Sequence, residues 1–430
     1  MSFRLALEYI LVRARDIQKQ LNTAVNCGGD KDRTVPVVVN FSYGILGGSH
    51  DGKHVIEKDA RSLIEAHKTA GGGEVTLAIP AGNSNLQRGH CRSEPGVASL
   101  RIPWRLQPDD QTSSFLEVWV PKEVSKLTLK LVAPNGQTVS LPDAPVVELQ
   151  SGKSLNLIKA PFSPAKNGIV GSFAFSQPDQ GGKKQLFIAM AATTKPNELP
   201  ANSQGTLASG IWDLEVTAVN MPSNGRIEAW ILRDDSPLGA RIQARQSYFD
   251  DAEFRRFTQE GDVKSRDIED PWSAVRHAGT LNGMATDPNA GADDPIFVVG
   301  AVLERGGYPD DPDSTQDDAQ EVAYSSTSGP EMRDPDIAAH SDSSRALGGK
   351  VVAGSRRGSS VVLNGTSVAA PQLARWIADQ YAMNPAISPS AMRTKMKTSF
   401  KDTTLAVERT GERRLPVDRY PLKVDRRTFS

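Results

Sequence analysis

The chain has 430 residues, a formal net charge of -1, an apolar fraction of 38% and an aromatic fraction of 6%. That length allows two or three domains, and the near-zero charge gives neither a nucleic acid nor an anionic membrane a reason to bind. No run of about 18 apolar residues occurs, which excludes a transmembrane helix, and the two cysteines, Cys27 and Cys91, are too few for a disulfide framework.

In chain order, Leu5, Leu7, Ile10, Leu11, Ala14, Ile17 and Leu21 recur at helical spacing. Arg4, Glu8, Arg13, Arg15 and Asp16 interrupt them, so the segment reads as an amphipathic helix and not a signal peptide. A cytoplasmic location with reduced thiols is the expectation, a single Cys27–Cys91 bridge remaining open. The run Val35 to Phe41 is β-branched and continuous, which suits a strand buried on both faces of a parallel sheet. A second helix is expected over about Val55 to Ala70, stopped by Gly71-Gly72-Gly73. Glu74 to Ile79 is the next buried strand, and helix alternating with apolar strand argues for an α/β layer fold.

The period changes near Leu86. Short alternating strands then follow: Ser99 to Arg105, Phe115 to Val120, Lys126 to Val132, Ile169 to Phe175, Gln185 to Ala192, Trp212 to Val219 and Arg226 to Leu232. Pro134-Asn135-Gly136 and Ser223-Asn224-Gly225 supply turns between them. This spacing suggests a β-sandwich. Helix–strand alternation resumes at Ile296 to Val302, so one domain interrupts another. Pro309 to Asp318 reads as a solvated acidic loop, and no metal site is assigned. The tail from Lys401 to Ser430, with Arg409, Arg413, Arg414, Arg419, Arg426 and Arg427, reads as a charged extension over the domain.

Three motifs carry chemistry. In Asn364-Gly365-Thr366-Ser367-Val368-Ala369-Ala370-Pro371, a serine lies between a Gly-containing turn and a helix start. The turn exposes the hydroxyl, and the helix end offers free N–H groups and positive potential to a developing oxyanion. A plain helix N-cap is the competing reading. Pro80-Ala81-Gly82-Asn83-Ser84-Asn85 directly follows a buried strand, where α/β sheets place their sites. The Asn83 amide can donate to an oxyanion, or form an ordinary Asx turn. Asn40-Phe41-Ser42-Tyr43-Gly44 leaves the first strand through a glycine and could pair with an extended peptide, or be a simple strand-to-loop turn.

These motifs, in this order, resemble the subtilase family of serine endopeptidases. The resemblance implies an α/β fold with a parallel sheet and helices on both faces. It implies Ser367 as nucleophile, Asn83 as oxyanion donor beside the Ser367 N–H, and Ser42, Tyr43, Gly44, Ala81, Gly82 and Thr366 lining the substrate site. Gly279-Thr280 with Ile296 to Ala301, Tyr324 to Pro330 and Pro335 to Ala339 are similar to further family segments. Phe41 to Lys53, with Gly48-Ser49-His50-Asp51-Gly52, resembles the clostridial spore-germination (Csp) branch, which carries a jelly-roll inserted after the oxyanion asparagine. The implied organisation is 1–86 and 276–400 as two parts of the catalytic domain, 87–275 as the insert and 401–430 as the extension.

The family's chain order is Asp, His, Ser. The stretch before Asn40 holds no histidine and no Asp-Ser-Gly or Asp-Thr-Gly, so the sheet is expected to be incomplete, with Val35–Phe41 and Glu74–Ile79 as open edges. His54 and His67 are expected on a solvated loop and helix face, and His90-Cys91 on a loop. A serine without a base is a poor nucleophile. The expectation is a serine endopeptidase whose Asp and His come from a companion chain or upstream segment. It would act on a peptide or protein substrate without a cofactor. An inactive binding protein or a truncated fragment are the alternatives.

Overall fold

The computed structural model describes residues 3–24, 33–139, 144–145, 156–159, 169–176, 182–194, 206–234, 244–267, 272–304, 320–343 and 348–416. The Pro309 to Asp318 loop, Cys27 and the tail beyond residue 416 lie outside the described residues.

A parallel sheet positions the candidate site residues at its strand ends. Its four strands run in the order Val37–Asn40, Val75–Pro80, Ile296–Leu303, Ile337–Asp342. The middle two are buried at every position, which is why they read as unbroken apolar runs. Helix α1 (Phe3–Ala24) and α2 (Val55–Thr69) cover one face, and Leu7, Leu11 and Ile64 meet Leu77, Ile79 and Val298 there. Helix α3 (Thr366–Met383) covers the other, with α4 (Pro389–Ser399) behind it. There Leu373, Ile377 and Met396 pack on Phe297, Val299 and Ile337. Each such side chain contributes about 1.5–3 kcal/mol by leaving water.

Glu74 to Ile79 is not an open edge: its strand pairs with Val37–Asn40 on one side and Ile296–Val299 on the other. Among the described residues the sheet ends at Val37–Asn40. Val37 and Phe41 donate their N–H groups inward, to the Glu74 and Ala78 carbonyls at 2.7 and 2.9 Å. Parallel-strand alternation therefore turns the N–H groups of Val38 and Asn40 outward.

Among the described residues, the β-rich segment forms two six-stranded antiparallel sheets around one core that includes Trp104, Trp212, Leu116 and Phe249. The strand Gly210–Val219 shows the logic, with Trp212, Leu214, Val216 and Ala218 inward and Glu215 and Thr217 outward. Trp230, on the strand Glu228–Ile231, ties this unit to the parallel-sheet unit. Its indole lies stacked between the His50 and His90 rings, with centroids 4.2 and 4.7 Å away, and donates to the Gly279 carbonyl at 3.1 Å. Beside it, Lys183 pairs with buried Glu228 at 2.6 Å.

Three further expectations are corrected. His67 is buried, because α2 turns it under the Gly72 end of the helix, and His54 caps α2 by accepting from the Ile56 N–H at 3.3 Å. His90 and Cys91 sit on a strand and are buried. The tail's first half is not a solvated extension. Helix α5 (Val407–Thr410) brings Arg409 into the core, where it donates to the carbonyls of Val322 and Ser265 at 3.1 and 2.8 Å. Leu415 then donates to the Ala338 carbonyl on the far edge of the sheet at 2.9 Å.

Candidate active site

The serine turn opens α3. Gly365 is its N-cap, with φ at 111°, a value that favours glycine. A Cβ there would lie 2.8 Å from the Asn83 Nδ2. Thr366 begins the helix buried, and Ser367 follows half-buried.

The first N–H groups of a helix have no partner within it, and here they are divided. The Thr366 N–H donates to Asn83 Oδ1 at 2.9 Å, and the Thr366 hydroxyl donates to the same oxygen at 3.0 Å. The Val368 N–H turns back to the Gly365 carbonyl at 2.8 Å. The Ser367 N–H takes no partner among the described residues. Because an N–H can only donate, the Thr366 contact fixes which Asn83 atom is oxygen. The Asn83 NH₂ is thereby left exposed beside the serine turn. Two donors at the positive end of a helix form an arrangement suited to a developing oxyanion.

Sheet ends that are remote in sequence are tied to this turn. Gly82 donates its N–H to the Thr366 hydroxyl at 3.1 Å. Ser42 donates its hydroxyl to the Ser367 carbonyl at 3.1 Å and accepts from Asn40 Nδ2 at 3.0 Å. Tyr43, Gly44 and Ala81 join through Asn282. That amide donates to the Tyr43 and Pro80 carbonyls, both at 3.0 Å, and the Asn282 N–H donates to the Ala81 carbonyl at 2.7 Å. All eight residues singled out from sequence therefore fall in one connected region.

Two residues escaped the sequence reading. Asn282 stands in a Leu-Asn-Gly stretch that reads as an ordinary turn. Tyr324 belongs to a recognised segment, but its hydroxyl's task was not legible. That hydroxyl accepts from the Gly365 N–H at 2.9 Å and donates to buried Asp342 at 2.5 Å, anchoring the serine turn from below. Burial and Asp342 together push its ionisation up, so the phenol stays protonated.

No imidazole completes the site. All six histidines are described, and none hydrogen-bonds Ser367. Burial holds His50 down at about 4, His90 at about 3 and His340 at about 4. Among the described residues, no three His, Cys, Asp or Glu side chains converge on a metal-sized site, and no helix is long and apolar enough to cross a membrane.

Comparison with known proteins defines the class. The sequence model of the subtilase family, Peptidase S8, matches residues 179–415, which is more than half the chain and includes Ser367. The chain belongs to the subtilase family of serine proteases. Its fold is similar to that of the Clostridium perfringens CspB protease, with a TM-score of 0.61 and 15% identity, over 96% of this chain and 69% of that one. At that identity the likeness concerns the fold. No curated protein sequence matches.

Proposed function

We propose that the chain is the nucleophile-bearing part of a serine endopeptidase that hydrolyses peptide bonds through Ser367, the imidazole and aspartate coming from outside this chain. The observation that carries this reading is the locked Asn83 amide. Its oxygen is held by both donors of Thr366, so its NH₂ is committed to neither turn nor sheet.

The chemistry follows from that geometry. A peptide lies along Ser42 to Gly44 in extended form. The Ser367 hydroxyl attacks the scissile carbonyl carbon while the supplied imidazole takes its proton. The oxyanion receives hydrogen bonds from Asn83 and the Ser367 N–H. Collapse returns the proton to the leaving amine, and water then cleaves the acyl-enzyme by the same steps. The outward N–H groups of Val38 and Asn40 give the supplying segment an edge to pair with.

The test is labelling by a fluorophosphonate in the assembly recovered with this chain from its own cells. Labelling that disappears in Ser367→Ala supports the reading, and an assembly that never labels sinks it. A second reading, a peptide-binding protein with an idle serine, is favoured by the absence of an imidazole on Ser367. It requires peptide binding that Ser367→Ala leaves unchanged, with no hydrolysis by the assembly.

A further inference from the structure

Two loops carry the proposed oxyanion donors, residues 82–85 and the serine turn, and one residue bonds to both. The Tyr324 carbonyl accepts from the Asn85 N–H at 3.4 Å. Two positions further on, Ser326 donates its N–H to the Gly82 carbonyl and accepts from the Ser84 N–H, both at 2.9 Å. The Tyr324 side chain reaches the other loop, where its hydroxyl accepts from the Gly365 N–H at 2.9 Å. Tyr324 therefore spans from the loop that carries Asn83 to the residue that caps the Ser367 helix.

The hydroxyl is fixed in that role. Its one proton goes to Asp342 Oδ2 at 2.5 Å, which leaves its lone pairs for the Gly365 N–H. Ser341 donates to the same carboxylate oxygen at 2.6 Å, and its Oγ lies 2.8 Å from the phenol oxygen. Neighbours along a regular strand point to opposite faces, so two consecutive side chains reaching one hydroxyl need a local cause. The sheet supplies it. Val302 pairs with His340 and Leu303 with Asp342, so the register skips Ser341. A bulge in a parallel pair is uncommon, and bulges beside sites re-aim side chains. A carboxylate that accepts from a phenol polarises it, which strengthens the phenol oxygen as an acceptor for the next N–H.

We propose that Tyr324 is a positioning residue for the reaction, holding the Asn83 amide and the Ser367 N–H at a fixed separation, with Asp342 and the bulge at Ser341 as its support. Its hydroxyl bonds Gly365, Ser341 and Asp342 and not Ser367, so it acts through the serine turn and the Asn83 loop. The proposal rests on the hydrolase reading above and adds the residue that sets the spacing of its donors.

The experiment follows fluorophosphonate labelling of Ser367 in the tagged assembly, with kinact and KI separated. Tyr324→Phe keeps the ring and removes the hydroxyl. It is expected to lower kinact about 10-fold, the scale of one lost hydrogen bond, with KI little changed. In the Asn83→Ala background the same change should cost severalfold less, because one of the two donors to be spaced is gone. A merely structural role would cost the same in both backgrounds. Asp342→Leu should act in the same direction and serves if Tyr324→Phe does not fold. An unchanged kinact in these variants, or a penalty undiminished beside Asn83→Ala, overturns the positioning role alone. Failure of the probe on the unaltered assembly overturns the hydrolase reading, and the positioning role with it.

Discussion

Around Ser367, the Asn83 side of the turn is cross-linked from three directions, while no described histidine hydrogen-bonds its hydroxyl. Asn83, Thr366, Gly82 and Ser42 bind the turn to two sheet ends, and Tyr324 anchors Gly365 to Asp342. Oxyanion stabilisation, the role proposed for this side, needs only donors held still, such as one helix start and one amide. Proton transfer needs an imidazole at hydrogen-bond distance. No described histidine is there, and among the described residues Val37–Asn40 ends the sheet with outward N–H groups. A turn can thus be held rigid for charge while no imidazole among the described residues stands at its serine.

The largest expected effect comes from removing the proposed nucleophile. In the active assembly Ser367→Ala should cost about six orders of magnitude in kcat, a scale borrowed from a relative in this same family. A residual rate within tenfold of the unaltered protein would show that catalysis runs elsewhere. Next, Asn83→Ala should lower kcat by about 10²–10³ with little change in KM, again a magnitude from this family. A KM effect of that size instead would make Asn83 a binding residue and dissolve the contrast between the two sides. Val38→Pro removes one outward N–H and is tolerable at a sheet edge facing that way. It should weaken recovery of the proposed companion segment while far-ultraviolet circular dichroism stays unchanged. Undiminished recovery would place the docking elsewhere.

Smaller effects concern pH. Burial pushes Glu57 up to about 7, although it accepts from the Thr286 N–H at 2.7 Å and lies near Arg61. Its folded pKa exceeds its unfolded value, so its stabilising contribution is present below about pH 4.5 and is lost as pH rises through about 7. Glu57→Gln should therefore raise Tm at about pH 8 by a few degrees and change it little at about pH 5. His50 and His90 have the opposite sign. Their folded pKa values are depressed, so stability falls as pH drops from about 6.5 toward about 4 and 3. Thermal melts in steps across that range should show the decline.

Much of the frame was legible because the parallel strands announce themselves. Val35 to Phe41 and Glu74 to Ile79 are continuous apolar runs, and the observed strands fall within a residue or two of them. The alternation of Trp212, Leu214, Val216 and Ala218 marked the sandwich face equally well. The Ser367 and Asn83 motifs were legible because a glycine turn at a strand or helix end leaves few residue types with a chemical task. Asn282 and Tyr324 were not, since their roles depend on partners far along the chain that no local pattern encodes. Arg409 misled because its charge spoke for solvent, whereas the backbone carbonyls of Val322 and Ser265 receive it in the interior.

The bond between Thr366 and Asn83 joins residues 283 positions apart. The same separation governs when the site comes into being. As the chain leaves the ribosome, Asn83 emerges first and the sandwich strands next, and α3 follows only near the end. The far edge of the sheet waits for Leu415 to close on Ala338. Synthesis at about 5–20 residues per second puts tens of seconds between Asn83 and its partner Thr366. Throughout that interval Asn83 has not yet met the start of α3, and its amide oxygen lacks both Thr366 donors.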